Sequence, residues 1–184
     1  MNILAVDTTG EPLSLALQAG ERIFTIHRVF ARPHDETLLP AVDRLLDKAG
    51  LRLKLLAGIA VASGPGRFTG IRIGMAYAAV AARCIGKPAL AITRFEALSF
   101  ARPEKRFCVV IAGLRGEKYH QAFPGGKPIW SQEVPAGLPI VEGDPTAREL
   151  LGPAARYLTR GRSPLFTPLY LKPAGYENPK RPRV

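Results

Sequence analysis

Residues 58–82 read GIAVASGPGRFTGIRIGMAYAAVAA, and this stretch decides the fold class. Its first part, residues 59–62, is an apolar run too short for a helix and is typical of a buried strand. Glycines and a proline break the run before Thr69, whose hydroxyl can cap a helix over residues 71–83. The stretch therefore predicts a strand, a glycine-rich turn and a helix built largely from small residues.

The glycine-rich turn permits two interpretations. Free backbone N–H groups at a helix N-terminus can bind an anion, because the helix dipole favours negative charge there. The turn is not a P-loop, since no lysine follows Gly70, and Gly64, Gly66 and Gly70 form only a loose relative of the dinucleotide fingerprint. A tight structural turn explains the same glycines, so both interpretations stay open at this point.

Composition narrows the class of protein. A chain of 184 residues suffices for one domain or two small lobes with a real core. The first residues, MNILAVDTT, include a charged Asp7 unlike a signal peptide, and no apolar run is long enough to cross a bilayer. We therefore expect the chain in the cytoplasm. Cys84 and Cys108 form no CxxC pair, and we expect both to be buried free thiols.

The formal net charge of +11 favours contact with something anionic. Basic residues are dense in the tail, residues 172–184, which can either contact nucleic acid or serve as a solvated surface. The second interpretation is favoured, because no aromatic interleaving or RNA-binding motif accompanies the charge. Scarce Asn, Gln, Met and Cys beside abundant Pro and Arg is the bias of a heat-adapted (thermophile) protein.

The first thirty residues predict a β-meander. Three strands near residues 3–8, 13–17 and 23–29 are joined by short turns, which argues against a Rossmann start. Asp7 ends the first strand and is followed by Thr8 and Thr9. A carboxylate with hydroxyls beside it can hold a metal–phosphate group. The simpler alternative, an Asx-type turn, is slightly favoured before other evidence.

Two helices flank the predicted central strand. The first begins near residues 35–37, buries one apolar face and ends at Gly50. The second carries a small-residue stripe of Gly74, Ala78 and Ala82, which allows close packing in this chain's own core or against another chain. The three histidines lack metal-ligand spacing, so we predict no metal site.

The second half of the chain is less regular. We predict strands near residues 88–93, 107–112 and 118–123, with a short helix at 94–102 after the first of them. Pro- and Gly-rich sequence follows, in which strands must be short. A helix over residues 146–157 is expected to be interrupted at Gly152 and Pro153.

Several segments carry a resemblance to the TsaB family, also called YeaZ. They are LAVDTTGEPLSLAL, HDETLLPAVDRLLDKAG, residues 58–82 and residues 88–98, with GPGRFTGIRIG the most specific. VVIAGLRGEKYHQAF is similar to the family's D-x-x-x-G-E-x-Y strand pair, although Ala112 stands where the aspartate would be. The segment PLYL at residues 168–171 resembles the family's P-x-Y-L-R ending, with Lys172 in place of Arg.

The resemblance implies an α/β fold of the actin-like, RNase H-like class (acetate kinase–hsp70–actin) with a shortened second lobe. The expected division is 1–100 for the first lobe, 101–171 for the reduced second lobe and 172–184 for the basic tail. It also implies a non-catalytic, cytoplasmic subunit without cofactor. In the family this subunit pairs with the catalytic TsaD, supports recruitment of the ATPase TsaE, meets tRNA indirectly and also forms homodimers.

The reaction so implied places a threonylcarbamoyl group on adenosine next to the anticodon of tRNAs that read codons starting with A. The partner interface is expected at His34, Leu38, Leu39, Val42, Leu46, Ile71, Gly74, Met75, Ala78 and Ala82. A vestigial phosphate site is expected at Asp7, Thr8, Thr9, Gly64, Gly66 and Thr69. The alternative function is an actin-like ATPase or small-molecule kinase that uses Asp7 and loop 64–70; a peptidase has little support, because no nucleophile–base pair is visible.

Overall fold

The computed structural model describes residues 1–102, 106–113 and 116–172. Its strands are β1 Asn2–Asp7, β2 Leu13–Ala19, β3 Arg22–Arg28, β4 Gly58–Ala62, β5 Ala89–Ile92, β6 Phe107–Ala112, β7 Lys118–Phe123, β8 Ile129–Ser131 and β9 Ile140–Glu142. Its helices are α1 His34–Ala49, α2 Phe68–Cys84, α3 Arg94–Ser99 and α4 Ala147–Thr159, with a short 3-10 turn at Leu53–Leu55.

The strands form two sheets, and the first four strands of each sheet are arranged in the same order. The first sheet runs β3-β2-β1-β4-β5 and the second runs β8-β7-β6-β9. In each sheet a meander of three antiparallel strands is joined by a later strand that pairs in parallel with the first strand of the meander. The predicted meander is confirmed, and the second sheet repeats the first without a described counterpart of β5.

The first sheet is covered on both faces. Leu4 and Val6 of β1 point into a core shared with α1 and α2, whereas Ile3 and Ala5 point into a second core beneath α4. Alternate side chains of a strand lie on opposite faces, so a strand buried on both sides reads as a continuous apolar run. This is why residues 3–6 of β1 and the whole of β4 are apolar, and the first sheet lies in the middle of three layers.

The second sheet has a hydrophobic core on one face, whereas on the other face its edge strands are exposed although Cys108 and Val110 at the centre are buried. Its core contains Phe107, Val109 and Ile111 of β6, which pack with Phe95 and with the half-buried Leu169. On the opposite face Ile129 and Ile140 are 48% and 56% exposed. Residues 132–139, which connect β8 to β9, form no helix, whereas α1 occupies the equivalent connection between β3 and β4.

Two predictions about helices are wrong. α2 begins at Phe68 with Arg67 as its N-cap residue, and Thr69 lies exposed inside the first turn, so the predicted Thr69 cap is wrong. α4 continues through Pro153 without the predicted interruption. A capping box between Thr146 and Glu149 and the burial of its apolar face against the first sheet stabilise this helix.

Other expectations meet the structure in different ways. Cys108 is buried, but Cys84 lies exposed at the end of α2, so the expectation of two buried thiols is wrong for Cys84. α4, which falls in the predicted second lobe, packs on the first sheet; the lobe boundary at residue 100 stays a prediction. Residues 173–184 of the predicted tail lie outside the described residues. Among the helices of the described ranges, none has the length and apolar character required to span a membrane.

Candidate functional site

The predicted strand-end residues come together at the carboxyl edge of the first sheet. Asp7, Thr8 and Thr9 are all nearly inaccessible to solvent. The backbone N–H and the hydroxyl of Thr9 both donate to Oδ1 of Asp7, at 2.8 and 2.6 Å. This is the Asx-type turn, and it uses one oxygen of the carboxylate that the alternative interpretation assigns to a metal–phosphate group.

The glycines of the turn allow the backbone of β1 to approach α2. A Cβ at Gly70 would lie 1.9 Å from the carbonyl oxygen of Thr8, and one at Gly66 would lie 2.6 Å from Cβ of Thr9. The Thr8 hydroxyl donates to the Gly70 carbonyl at 2.7 Å, and the N–H of Arg67 donates to the Thr9 carbonyl at 2.8 Å. The space at the start of α2 is therefore filled by the chain itself, which favours the structural-turn interpretation.

Two residues of the expected phosphate set lie apart from this contact. Thr69 is exposed, and its side chain does not join Asp7, Thr8 and Thr9. Gly64 has a φ of 115°, and a Cβ there would lie 2.6 Å from the carbonyl oxygen of Leu169. Gly64 therefore permits a close crossing of the chain over the turn, which the Leu169 N–H secures by donating to Ser63 at 2.7 Å.

Arg94 is the residue that sequence reasoning missed. It is 4% exposed, and its Nη1 donates to the Pro65 carbonyl at 3.2 Å while Nη2 pairs with Asp144. Its Nε lies 3.7 Å from Oδ2 of Asp7 and has no hydrogen-bond partner among the described residues. Burial lowers the pKa of the guanidinium and the Asp7 carboxylate raises it. The sequence signal that could have identified Arg94 is its position directly after a buried strand and the N-cap residue Thr93.

The small-residue stripe faces the interior. Gly74, Ala78 and Ala82 are buried, and a Cβ at Gly74 would lie 2.4 Å from the Thr8 hydroxyl and 3.2 Å from Val61. The stripe therefore brings α2 close to β1 and β4 of the same chain, and the hypothesis that it packs between chains is wrong.

The other residues expected at the partner interface are either buried in the core or accessible to solvent. Most are buried in the core between the helices and the first sheet: Leu38, Val42, Leu46, Ile71 and Met75. Leu39 is 59% exposed. His34 is half-buried, and its Nε2 lies 3.0 Å from the Glu11 carbonyl, which ties the start of α1 to the first turn of the meander.

The solvent side of the helix pair carries the accessible apolar residues. We call the following set the outer helix surface: Leu39 of α1, and Ile73, Ala76, Ala79 and Val80 of α2, of which Ile73 is half-buried and also packs against the core. Val80 is 63% exposed. Tyr77 lies beside this surface, where burial and the Asp43 carboxylate of α1 raise its pKa to about 12.

Within the described residues, no group of three or more His, Cys, Asp or Glu side chains is arranged to hold a metal ion. The carboxylates nearest the glycine turn, Asp7 and Asp144, both contact Arg94. The arrangement at the strand ends can therefore position the backbone and neutralise charge.

Comparison with known proteins decides the family. The model of the family described as TsaD, tRNA N6-adenosine threonylcarbamoyltransferase, matches residues 26–126, which is more than half of the chain. The tRNA threonylcarbamoyladenosine biosynthesis protein TsaB of Bacillus subtilis is 33% identical over 140 residues, which cover 73% of this chain and 60% of that protein. This chain belongs to the TsaB (YeaZ) family. TsaB of Haemophilus influenzae is 34% identical over 102 residues, 55% of this chain and 43% of that protein.

Solved structures agree with the TsaB assignment. YeaZ from Pseudomonas aeruginosa superposes with a TM-score of 0.76 at 25% identity, over 92% of this chain and 99% of that chain. The match confirms the expected actin-like, RNase H-like α/β fold.

An uncharacterized protein of Mycobacterium leprae is 32% identical over 94% of this chain but only 48% of its own length. The chain thus spans about half the length of the curated relatives it matches.

Proposed function

We propose that this chain is a non-catalytic subunit that pairs with a TsaD-like catalytic subunit. The pair forms the threonylcarbamoyl group on adenosine next to the anticodon of tRNAs that read codons starting with A, and it supports recruitment of a TsaE-like ATPase. The names of the TsaB relatives support the place in this modification. The chain meets tRNA indirectly, through the complex, and the proposed location is therefore the cytoplasm.

The observation that carries the non-catalytic role is the state of Asp7. One carboxylate oxygen accepts both hydrogen bonds of Thr9, and the other faces the guanidinium of Arg94. A general base needs a free lone pair within reach of substrate, and a metal ligand needs an unneutralised charge. Asp7 is 4% exposed, so its carboxylate is out of reach of a substrate, and the guanidinium of Arg94 balances its charge.

The partner site proposed is the outer helix surface. Exposed apolar side chains grouped on neighbouring helices are suited to burial against another protein. Leu39 and Val80 are its largest strongly exposed members, and buried contacts of that kind dominate affinity. The surface replaces the stripe of Gly74, Ala78 and Ala82, which the fold uses internally. A homodimer through the same surface is the competing arrangement.

The test is to change Val80 to Glu and measure pairing with a TsaD-like subunit by calorimetry and size exclusion. Burying an unpaired carboxylate in an interface should weaken binding at least about tenfold. Val29 is 56% exposed and lies outside the surface, so Val29→Glu is the matched control, expected within about twofold of wild type. Pairing that is unchanged in Val80→Glu would remove this surface from the proposal.

A modification assay tests the function itself. The catalytic subunit and its ATPase should modify tRNA substantially faster with this chain than without it, and the isolated chain should show no turnover. Equal modification in its absence would contradict the proposal.

The alternative of an ATPase or small-molecule kinase is tested by titrating ATP with magnesium into the isolated chain. We expect no saturable heat, since Arg67 and Thr9 already fill the start of α2. Tight binding that requires magnesium would favour the enzyme.

A further inference from the structure

Arg94 lies where two sheets meet at the carboxyl ends of their parallel strands. Asp7 ends β1, Pro65 follows β4, and Arg94 follows β5, all in the first sheet. Asp144 follows β9 of the second sheet. Ligands of open α/β sheets bind in the crevice outside these strand ends. In this chain the side chain of Arg94 is in that place.

The contacts of Arg94 reach both sheets. Nη1 donates to the Pro65 carbonyl at 3.2 Å, the backbone N–H donates to the Gly64 carbonyl at 2.8 Å, and Nε lies 3.7 Å from Asp7. Nη2 pairs with Asp144, whose side chain is 72% exposed. The guanidinium therefore comes from the first sheet, and Asp144 of the second sheet pairs with it.

Nearby charges offset part of the cost of burying the guanidinium of Arg94, whose Nε donates no hydrogen bond within the described residues. A buried guanidinium without partners is strongly unfavourable, and paired charges offset that cost only when the geometry is good. Arg94 has two carboxylates and one carbonyl around it, and its side chain is 5% exposed. Conversely, the 6% exposed side chain of Asp7 would be left without its cation if Arg94 were absent.

We propose that Arg94 is an internal clamp, whose guanidinium occupies the crevice as a bound cation would and ties the second sheet to the first through Asp7, Pro65 and Asp144. The clamp goes beyond the proposed function and does not rest on it, because it concerns how the two sheets of this chain are held together.

The first test is chemical rescue of Arg94→Ala. The melting temperature should fall by on the order of 10 °C, because removal of one partner of a buried ion pair leaves a charge uncompensated. Millimolar ethylguanidinium should restore at least about half of the loss. The same additive should leave wild type unchanged, as well as Arg148→Ala, which removes an exposed arginine of α4. A loss no larger than that of Arg148→Ala, or a loss without rescue, would overturn the clamp.

A second variant keeps the test decisive if Arg94→Ala does not fold. Asp144→Asn changes an exposed residue, so the fold should survive. Amide exchange in Ile140–Glu142 should become about three- to fivefold faster, while exchange in Asn2–Asp7 stays unchanged. Glu142→Gln, an exposed neighbour, is the matched control. Exchange that does not differ between the two variants would contradict a clamp that reaches the second sheet.

Discussion

The two sheets have the same strand order, but they differ in how helices cover their faces. The first sheet has helices on both faces, and its leading strand ends in Asp7. The second has a loop in place of the helix between β8 and β9, and its leading strand ends in Ala112. The chain therefore keeps the strand pattern twice, but among the described residues only the first sheet has helices on both faces.

The comparison of the two sheets shows where close packing restricts the choice of residue. In the first half, the turn after β4 must let α2 touch β1, so a glycine is required at Gly70. In the second half, the turn after β9 contains Gly143, where a Cβ would meet only Leu98 at 3.4 Å. Gly70, in the first turn of α2, and Gly143, directly after β9, should therefore tolerate substitution very differently.

The largest expected difference follows from these two glycines. Gly70→Ala should destabilise the protein by about 3 kcal/mol or more, since the new Cβ meets backbone that cannot move aside. Gly143→Ala, the matched control, should change stability by less than about 0.5 kcal/mol. Urea unfolding measures both. If Gly70→Ala is as stable as Gly143→Ala, the close approach of β1 and α2 is not rigid.

A smaller difference is expected between Ile59 of β4 and Ile140 of β9, which pair with β1 and β6 respectively. Ile59 is fully buried and Ile140 is 56% exposed. Ile59→Ala should cost about 2–5 kcal/mol from lost burial and the cavity left behind, whereas Ile140→Ala should cost about 0.5 kcal/mol or less. Similar losses in urea unfolding would show that Ile140, at the edge of the second sheet, is covered after all.

The smallest effect concerns two tyrosines. Burial and Asp43 raise the pKa of Tyr77 to about 12, whereas burial and Glu117 raise the pKa of Tyr119 and the cations Lys172 and Arg94 lower it. A raised folded-state pKa gives stability that is fully present below the unfolded value near pH 10 and lost as pH rises through the folded value.

Wild type should therefore lose up to about 2 kcal/mol between pH 10 and pH 12 because of Tyr77. Tyr77→Phe should lose less over that range, and Tyr119→Phe, the control, should follow wild type more closely. Absorbance titration of tyrosinate with parallel melting curves checks this. A wild type and a Tyr77→Phe variant with identical pH profiles would show that Tyr77 is not shielded.

Local pattern was enough to predict much of the first half. The meander, the strand before the glycine turn and the helix after it follow from periodicity and from turn residues, because those signals are local. The site was harder. Small residues at Gly74, Ala78 and Ala82 indicate that something approaches closely, but sequence does not say whether the neighbour is β4 or another chain.

Two further features depend on tertiary structure that local signals do not contain. The apolar face of α4 predicts burial but not against which sheet, and it covers the first one. Arg94 was missed because arginine is usually exposed, and only the strand ends brought together by the fold provide its carboxylates. The interface residues that failed, such as Ala78, were chosen by helix face without knowledge of which face the sheet takes.

The placement of α4 has a consequence for synthesis on the ribosome. The hydroxyl of Ser14 accepts the N–H of Ala147, a contact that joins residues 133 positions apart. Until α4 has been translated, the face of the first sheet that carries Ile3, Leu90 and Ile92 has no cover. Such a nascent chain exposes apolar strands for the time needed to make the second sheet, and it is expected to be the species that chaperones bind.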